Sequence, residues 1–564
     1  MNESNLSYVN GTSTEPLMYK TIGQALDDAA TKWGDDEAVF VRHQSIRWSF
    51  SELKKAADDV AAGLVALGFK RGERIGVWSP NNIEWVITQF ATAKAGLVLV
   101  NVNPAYRIGE LEYALNKVEC KGIIIAERFK TSDYVQMINK LAPELSECTP
   151  GELVSAKLPH LKTVICISDK NPAGMHKFSD IAGFGGDAQR QQLASLAGDL
   201  QPDDPINIQF TSGTTGMPKG ATLTHFNIVN NGYFTGRAMK LGENDKLAIP
   251  VPLYHCFGMV MGVLTCITTG ATMVFPDEAF EPGSVLAAVS EEQCTALHGV
   301  PTMFIAELDH PDFSSFDFSH LRTGIMAGAP CPIEVMKRVF KDMNMAEVTI
   351  AYGMTETSPV SFQSGTDDPI DKRVSTVGRI HPHVEVKIID EDGKVVPRGD
   401  KGELCTRGYS VMLGYWNDEE KTRESIDDSG WMHTGDLATM DDEGYVNIVG
   451  RVKDMIIRGG ENVYPREIEE YLFRHPKVQE AAVFGVPDEK FGEQVATWIT
   501  VREGESLTED EIRGYCKEQI AHYKVPAYVK FVDEFPMTVT GKIQKFVMRD
   551  EMIEELGLTI ADTA

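Results

Sequence analysis

The sequence has no run of about 18 apolar residues, the length a spanning helix needs; stretches such as 96–102 are short and interrupted. Its opening stretch has no positive charge before Lys20 and no apolar core, so no secretory signal is expected. A cationic surplus is missing too. Lys and Arg number 54 against 82 Asp and Glu, a formal net charge of −28. That argues against a general nucleic-acid or anionic-membrane binder, which needs excess cations to neutralise phosphate. A small anionic ligand needs only a locally positive pocket and stays open. The nine cysteines (Cys120, Cys148, Cys166, Cys256, Cys266, Cys294, Cys331, Cys405, Cys516) include no CxxC pair and are odd in number. Reduced thiols in a cytoplasmic setting follow, and no zinc site is suggested. No short internal repeat or low-complexity tract is present, which removes solenoid and linker readings.

What is present is a globular composition, 43% hydrophobic and 24% charged over 564 residues, which excludes disordered and fibrous chains. At ~100–200 residues per domain, this length predicts several domains. Ser49 and Glu52 stand at capping-box spacing, and Leu53, Ala56, Ala57, Val60 and Leu64 then fall on one helical face. A strand over 74–78, a turn at 80–82, a helix over 83–94, an apolar run at 97–100, a helix over 110–117 and a strand over 122–126 follow. That succession predicts an α/β fold with a parallel sheet covered by helices. The texture changes near Arg451. A strand over 445–449 leads into a Gly-Gly loop, Pro465 opens a helix, and Arg474-His475-Pro476 ends it. Strands over 481–486, 496–501 and 528–532, with a helix over 509–520, predict a second, small α+β domain.

Four segments carry chemistry. Thr211-Ser-Gly-Thr-Thr-Gly-Met-Pro-Lys-Gly220 follows the apolar run 206–210. Its glycines turn backbone N–H groups to one point, Thr211, Ser212, Thr214 and Thr215 add hydroxyls, and Lys219 adds charge: an anion cradle suited to a triphosphate. It is not a Walker A loop, because Pro218 stands where a glycine is required. In Tyr352-Gly-Met-Thr-Glu-Thr357 the ring can stack on a base, Thr355 can donate to a phosphate and Glu356 can hold Mg²⁺. A lone Glu is most often just a solvated charge. Thr434-Gly435-Asp436, followed by Arg451, offers a carboxylate for ribose hydroxyls, although TGD equally fits a turn. Pro536-Met-Thr-Val-Thr-Gly-Lys542 places a lysine on a Gly-flanked loop, an ordinary surface residue unless a second domain delivers it elsewhere.

In this order these segments resemble the adenylate-forming superfamily of acyl- and aryl-CoA synthetases, luciferases and peptide-synthetase adenylation domains. The likeness runs from about Ile22 to Gln544 and includes TSGTTGMPKG, YGMTET, GELCTRG (402–408), WMHTGD (431–436), GRVKDMIIRGGENVYP (450–465) and PMTVTGKIQK (536–545). The texture is most like bacterial fatty acyl-CoA synthetases and the medium-chain mitochondrial type.

The resemblance implies a large multi-subdomain N-terminal α/β domain (1–450) that binds ATP and acid. It implies a hinge (451–454) around Lys453 and a small mobile C-terminal α+β lid (455–564). It implies that Thr211, Ser212, Gly213, Thr214, Thr215, Gly216 and Lys219 wrap the β- and γ-phosphates. Gly328, Ala329, Pro330 and Tyr352 would flank adenine, and Asp436 and Arg451 would hold the ribose. Thr355 would touch the α-phosphate, Glu356 would bind Mg²⁺, and Lys542 would bridge the acid and the α-phosphate. Gly459 and Gly460 would line the pantetheine tunnel of CoA.

The acyl pocket is expected from 253–259, 299–302 and 324–328, which are small, apolar or aromatic. No Asp stands at 255–259 to pair an α-ammonium, so the acid is expected to be an apolar monocarboxylate of medium chain length. His255 resembles the family's residue at the acyl–adenylate junction, but equally fits a satisfied core histidine. An aryl or short functionalised acid, transfer to a carrier protein, or oxidative light emission are alternatives within the family. An ATP phosphotransferase using the Gly/Thr loop is the alternative outside it, and it would release ADP rather than AMP. The expected partners are a carboxylic acid, ATP and CoA, with no nucleic acid and no integral membrane segment. Peripheral membrane contact and a homodimer are both allowed.

Overall fold

The computed structural model describes residues 5–170, 172–211, 218–329, 331–451, 454–458, 461–488, 490–517, 519–538 and 541–558. Local signals behave as their chemistry dictates. Ser49 Oγ accepts the Glu52 N–H and the Glu52 carboxylate accepts the Ser49 N–H, and this box opens the helix Phe50–Ala66. Its face of Leu53, Ala57, Val60 and Leu64 is buried. Asn82 caps Ile83–Lys94 through the Trp85 N–H.

Among the described residues, three large sheets build the body. An eight-stranded sheet runs His176–Lys177, Thr163–Ile167, Gly122–Ala126, Arg74–Trp78, Val98–Asn101, Pro205–Thr211, Lys219–Thr224, Gly414–Tyr415. A nine-stranded sheet runs Arg379–Ile380, Val360–Gln363, Glu347–Gly353, Thr323–Ala327, Ala296–Gly299, Lys246–Ala248, Thr272–Phe275, Glu37–Val41, Ile46–Ser49. Both are parallel through their centres; the nine-stranded sheet turns antiparallel at both edges, the eight-stranded one only on its Lys219–Thr224 and Gly414–Tyr415 side. One apolar core joins them, with Ile75 and Leu99 from the first, Leu247 and Ile325 from the second, and Leu26, Leu53, Phe90 and Ile228 from helices packed on both. The third sheet, Tyr8–Asn10, Val384–Ile389, Gly402–Gly408, Met432–Met440 and Val446–Arg451, is antiparallel throughout.

The expectation of a parallel sheet therefore holds for its centre. Pro205–Thr211 and Lys219–Thr224, the strands on either side of the Gly/Thr segment, pair antiparallel, with Thr211 opposite Lys219. The C-terminal domain has its own sheet and two cores of its own. Its long hairpin, Val478–Asp488 with Gly492–Val501, outruns the expected strands because backbone pairing continues through Pro487, Asp488 and Glu493. The helix expected over 509–520 ends at Cys516, where Lys517 turns extended. No described helix is long and apolar enough to cross a membrane.

Candidate active site

The parallel strands Ala296–Gly299, Thr323–Ala327 and Glu347–Gly353 are in register, with Gly299 opposite Met326 and Ala327 opposite Ala351. The segments that follow them therefore emerge at one sheet edge, the carboxyl end where open α/β sheets bind ligands. They carry Val300-Pro301-Thr302, Gly328-Ala329 and Tyr352–Thr357. Pro205–Thr211 of the other large sheet ends at the same crevice, since Thr211 Oγ1 donates to Glu356 Oε1 across 3.2 Å.

Thr355–Thr357 form a single tight turn, and Glu356 within it is only 6% exposed. The reading of Glu356 as a solvated charge is thus corrected. The carboxylate lies between Thr211 and Tyr415, whose hydroxyl donates to the same Oε1 at 2.8 Å. A buried carboxylate beside Thr211 has the oxygen donors a hard cation prefers, so the residues fit the expected Mg²⁺.

The turn alternative for Asp436 is excluded as well. It sits in the strand Met432–Met440, not in a turn, directly opposite Arg451. Its Oδ1 faces Arg451 Nε at 3.2 Å and its Oδ2 accepts from the Tyr352 hydroxyl. The turn-like TGD composition serves a bulge. Gly435 takes φ +69°, and Glu403 accepts its N–H at 3.1 Å while its other oxygen faces His433 Nδ1. Burial raises the Asp436 carboxyl, opposed by Arg451. Burial, aided by Asp436, pushes the Tyr352 hydroxyl well above its usual range, so Tyr352 stays a donor.

Lys542 is not an ordinary surface lysine. Its loop is a tight hairpin: the Thr538 N–H donates to the Lys542 carbonyl, and the Lys542 N–H donates to Thr538 Oγ1. Gly541 turns at φ +74°, and a Cβ there would stand 2.9 Å from Val300 Cγ2 and 3.2 Å from Thr302 Oγ1. Only glycine lets the loop press so closely on the body. The half-buried ammonium is lowered by burial and by Arg451, while Glu356 and Asp436 hold it up. The same proximity reaches His255, whose imidazole is pushed down to about 3 by burial first and by Lys542 second. His255 caps the short helix Cys256–Gly258, with Nδ1 accepting the Phe257 N–H.

Lys542, Glu356, Asp436, Arg451, Tyr352 and His255 are therefore drawn together by separate elements of the body and the lid. Thr355, Lys219, Gly328 and Ala329 stand at the same edge. Ser212, Gly213, Thr214, Thr215, Gly216, Pro330, Lys453, Gly459 and Gly460 lie outside the described residues.

Sequence reasoning missed two features. Tyr415 offered no signal beyond its place after GELCTRG. The other was legible: Asn207 and Gln209 stand two apart in an otherwise apolar strand and so share one face. Gln209 Nε2 donates to Met259 Sδ, and Asn207 Nδ2 donates to Asn101 Oδ1, whose Nδ2 donates to the Tyr254 carbonyl. This buried amide ladder ties the cradle strand to the segment that carries His255.

Residues 26–416 match the family described as AMP-binding enzyme, and residues 467–542 match the AMP-binding enzyme C-terminal domain. The chain belongs to this family of ATP-using, adenylate-forming ligases. It is 48% identical over 557 residues to the medium-chain acyl-CoA ligase ACSF2, mitochondrial, of Danio rerio, covering 98% of this chain and 91% of that one. Its fold matches ATP-bound MatB from Rhodopseudomonas palustris with a TM-score of 0.82 at 31% identity, covering 96% of this chain and 100% of that one. It also matches a Mycobacterium tuberculosis fatty acyl CoA synthetase with a TM-score of 0.71 at 28% identity, covering 95% of this chain and 99% of that one.

Proposed function

We propose that the chain is an AMP-forming fatty acid–CoA ligase acting on an apolar, medium-chain carboxylic acid. The observation that carries this reading is the lid lysine, Lys542, seated at the crevice with Glu356, Asp436, Arg451 and His255 around it. The medium-chain preference is supported by the relative named above and by the apolar, buried Leu253, Phe257 and Met259.

A carboxylate is a poor acyl donor because its leaving group would be oxide. In the first half-reaction its oxygen attacks the α-phosphorus of ATP, giving acyl-AMP and releasing pyrophosphate. Two anions must meet, and the Lys542 ammonium supplies compensating charge where they do. Lys219 and the hydroxyls of Thr211, Ser212, Thr214 and Thr215, on their glycine-rich loop, hold the β- and γ-phosphates, and Thr355 the α-phosphate. Glu356 would hold Mg²⁺, which when bound neutralises phosphate oxygens. Asp436 and Arg451 take the ribose, and Tyr352 with Gly328, Ala329 and Pro330 flanks the base. His255, kept neutral, adds no charge at the acyl junction.

In the second half-reaction the CoA sulfur attacks the acyl carbon and AMP leaves. Lys542 then blocks the approach, so the lid turns about 451–454, where Lys453 is the hinge, and Gly459 and Gly460 admit the pantetheine arm. The nine free cysteines, with no disulfide among the described residues, support a cytoplasmic setting.

Acids of increasing chain length, offered with ATP, Mg²⁺ and CoA, test this reading. The expected result is acid-dependent exchange of labelled pyrophosphate into ATP, AMP release on adding CoA, and an optimum at medium length. ADP in place of AMP would end it. An optimum at aryl or short functionalised acids would transfer it to another branch of the family.

A further inference from the structure

The Tyr415 hydroxyl joins the two groups assigned above to the polyphosphate end of ATP. Lys219 Nζ donates to Tyr415 Oη across 3.0 Å, and Tyr415 Oη donates to Glu356 Oε1 across 2.8 Å. The same ammonium stands 4.1 Å from the ring centroid. The ring is buried and anchored from both sides. Its strand Gly414–Tyr415 pairs with Lys219–Thr224, and its N–H donates to Thr422 Oγ1 at 2.9 Å. Three residues upstream, the Met412 N–H donates to the Glu356 carbonyl.

An ammonium and a carboxylate that must both meet Mg²⁺–ATP face each other across a partly dry crevice. Left alone, they would close into a direct ion pair that substrate would have to break. A phenol prevents this. Its oxygen accepts from the ammonium while its proton goes to the carboxylate, so both charges are satisfied at a fixed separation.

We propose that Tyr415 is a positioning residue that holds Lys219 and Glu356 apart and presets them for the metal–triphosphate end of ATP. The proposal rests on the functional reading above and adds a named residue to it. When ATP enters, Lys219 turns to phosphate and the hydroxyl continues to aim the Glu356 carboxylate.

Tyr415→Phe removes one oxygen and keeps the ring, its packing and the cation–π contact. In acid-dependent pyrophosphate exchange it should raise KM for Mg²⁺–ATP by about tenfold, the worth of one hydrogen bond to a charged group. The Mg²⁺ activation curve should move to higher concentration, and KM for the acid should stay within about twofold. Thioester formation from supplied acyl-AMP and CoA should be unchanged, because pyrophosphate has already left. An unaltered KM for Mg²⁺–ATP overturns the proposal. So does an equal fall in both half-reactions with a lower melting temperature, the mark of a purely structural tyrosine. Glu356→Gln, measured alongside, separates the two levels. Normal Mg²⁺ dependence in E356Q would sink the site reading and the proposal together. Loss there with normal behaviour in Y415F sinks only the role of Tyr415.

Discussion

The body and the lid hold their charged groups in opposite ways. In the body, Glu356 and Asp436 are buried and each is fixed by residues from other elements: Thr211 and Tyr415 for one, Tyr352 and Arg451 for the other. In the lid, the Lys542 N–H is held by Thr538 Oγ1 of its own loop, and neighbouring Gly541 rests on Val300 and Thr302 of the body. The described residues of the lid touch the body at several points. Arg466 donates to the Ile448 carbonyl at 2.6 Å, Lys401 lies 3.5 Å from the Tyr464 ring centroid, and Gly541 rests on Val300 and Thr302. The body is preorganised, whereas the lid is delivered. A group needed in both half-reactions suits the first arrangement, and a group that must leave suits the second.

That contrast breaks most visibly at Lys542. Lys542→Ala should slow adenylate formation by a factor on the order of 10²–10³ and leave thioester formation from supplied acyl-AMP nearly intact. Equal loss in both halves, read by separate assays, would remove the idea of a delivered charge. Next comes Glu356→Gln, with an expected loss of about 10–100-fold in kcat/KM for Mg²⁺–ATP, since one unit of charge goes while the hydrogen-bonding shape stays. A titration of activity against Mg²⁺ checks it. A smaller effect is expected where the lid touches the body. Arg466→Ala should cost adenylation about three- to tenfold by weakening this lid orientation, and should leave the second half-reaction equal or faster. Slowing of the second half would mean that Arg466 supports the fold and not the orientation.

The last effect concerns stability, and its sign differs between the two regions. The buried imidazoles of His225 and His381 are pushed down to about 3, and that of His298 to about 4, all by burial. All three belong to the body. Below the ordinary value of 6.5 the unfolded chain takes up protons at these positions that the folded body does not. Body stability should therefore fall as pH falls, by about 2 kcal/mol per imidazole at pH 5. In the lid, burial and neighbouring Glu469 push Glu480 up to about 7. Its neutral form favours the fold, so the lid loses stability as pH rises from about 4.5 through 7. Glu480→Gln should strengthen the lid at pH 8 by about 1–3 kcal/mol, discounted for partial exposure, and change little at pH 4. Hydrogen exchange resolved by segment would separate the two trends; parallel trends in both regions would contradict them.

Much of the fold was legible because short-range chemistry carried it. The Ser49–Glu52 box, the helix Ile83–Lys94 and the strands Arg74–Trp78 and Gly122–Ala126 stand where their patterns predicted. Strand ends were misjudged where pairing extends through polar residues, as at Asp488 and Gly492, since a ladder asks for a partner backbone and not for an apolar side chain. The candidate site was legible as a set of residue types, with their roles left unweighted. Glu356 read equally as a solvated charge, because nothing nearby in the chain says that Thr211 and Tyr415 close over it. Tyr415 was invisible for the same reason: its partners Lys219 and Glu356 are 196 and 59 residues away.

By itself the sequence determined which side chains could cradle a triphosphate, hold a ribose or bring a late cation, because hydroxyls, glycines, carboxylates and amines carry that chemistry wherever they lie. It determined the family too, through the order of its segments. Only the tertiary structure decided which of those groups meet and which are dry. Burial and charge–charge distance are properties of packed elements, and they turn an ordinary glutamate, aspartate and lysine into one crevice.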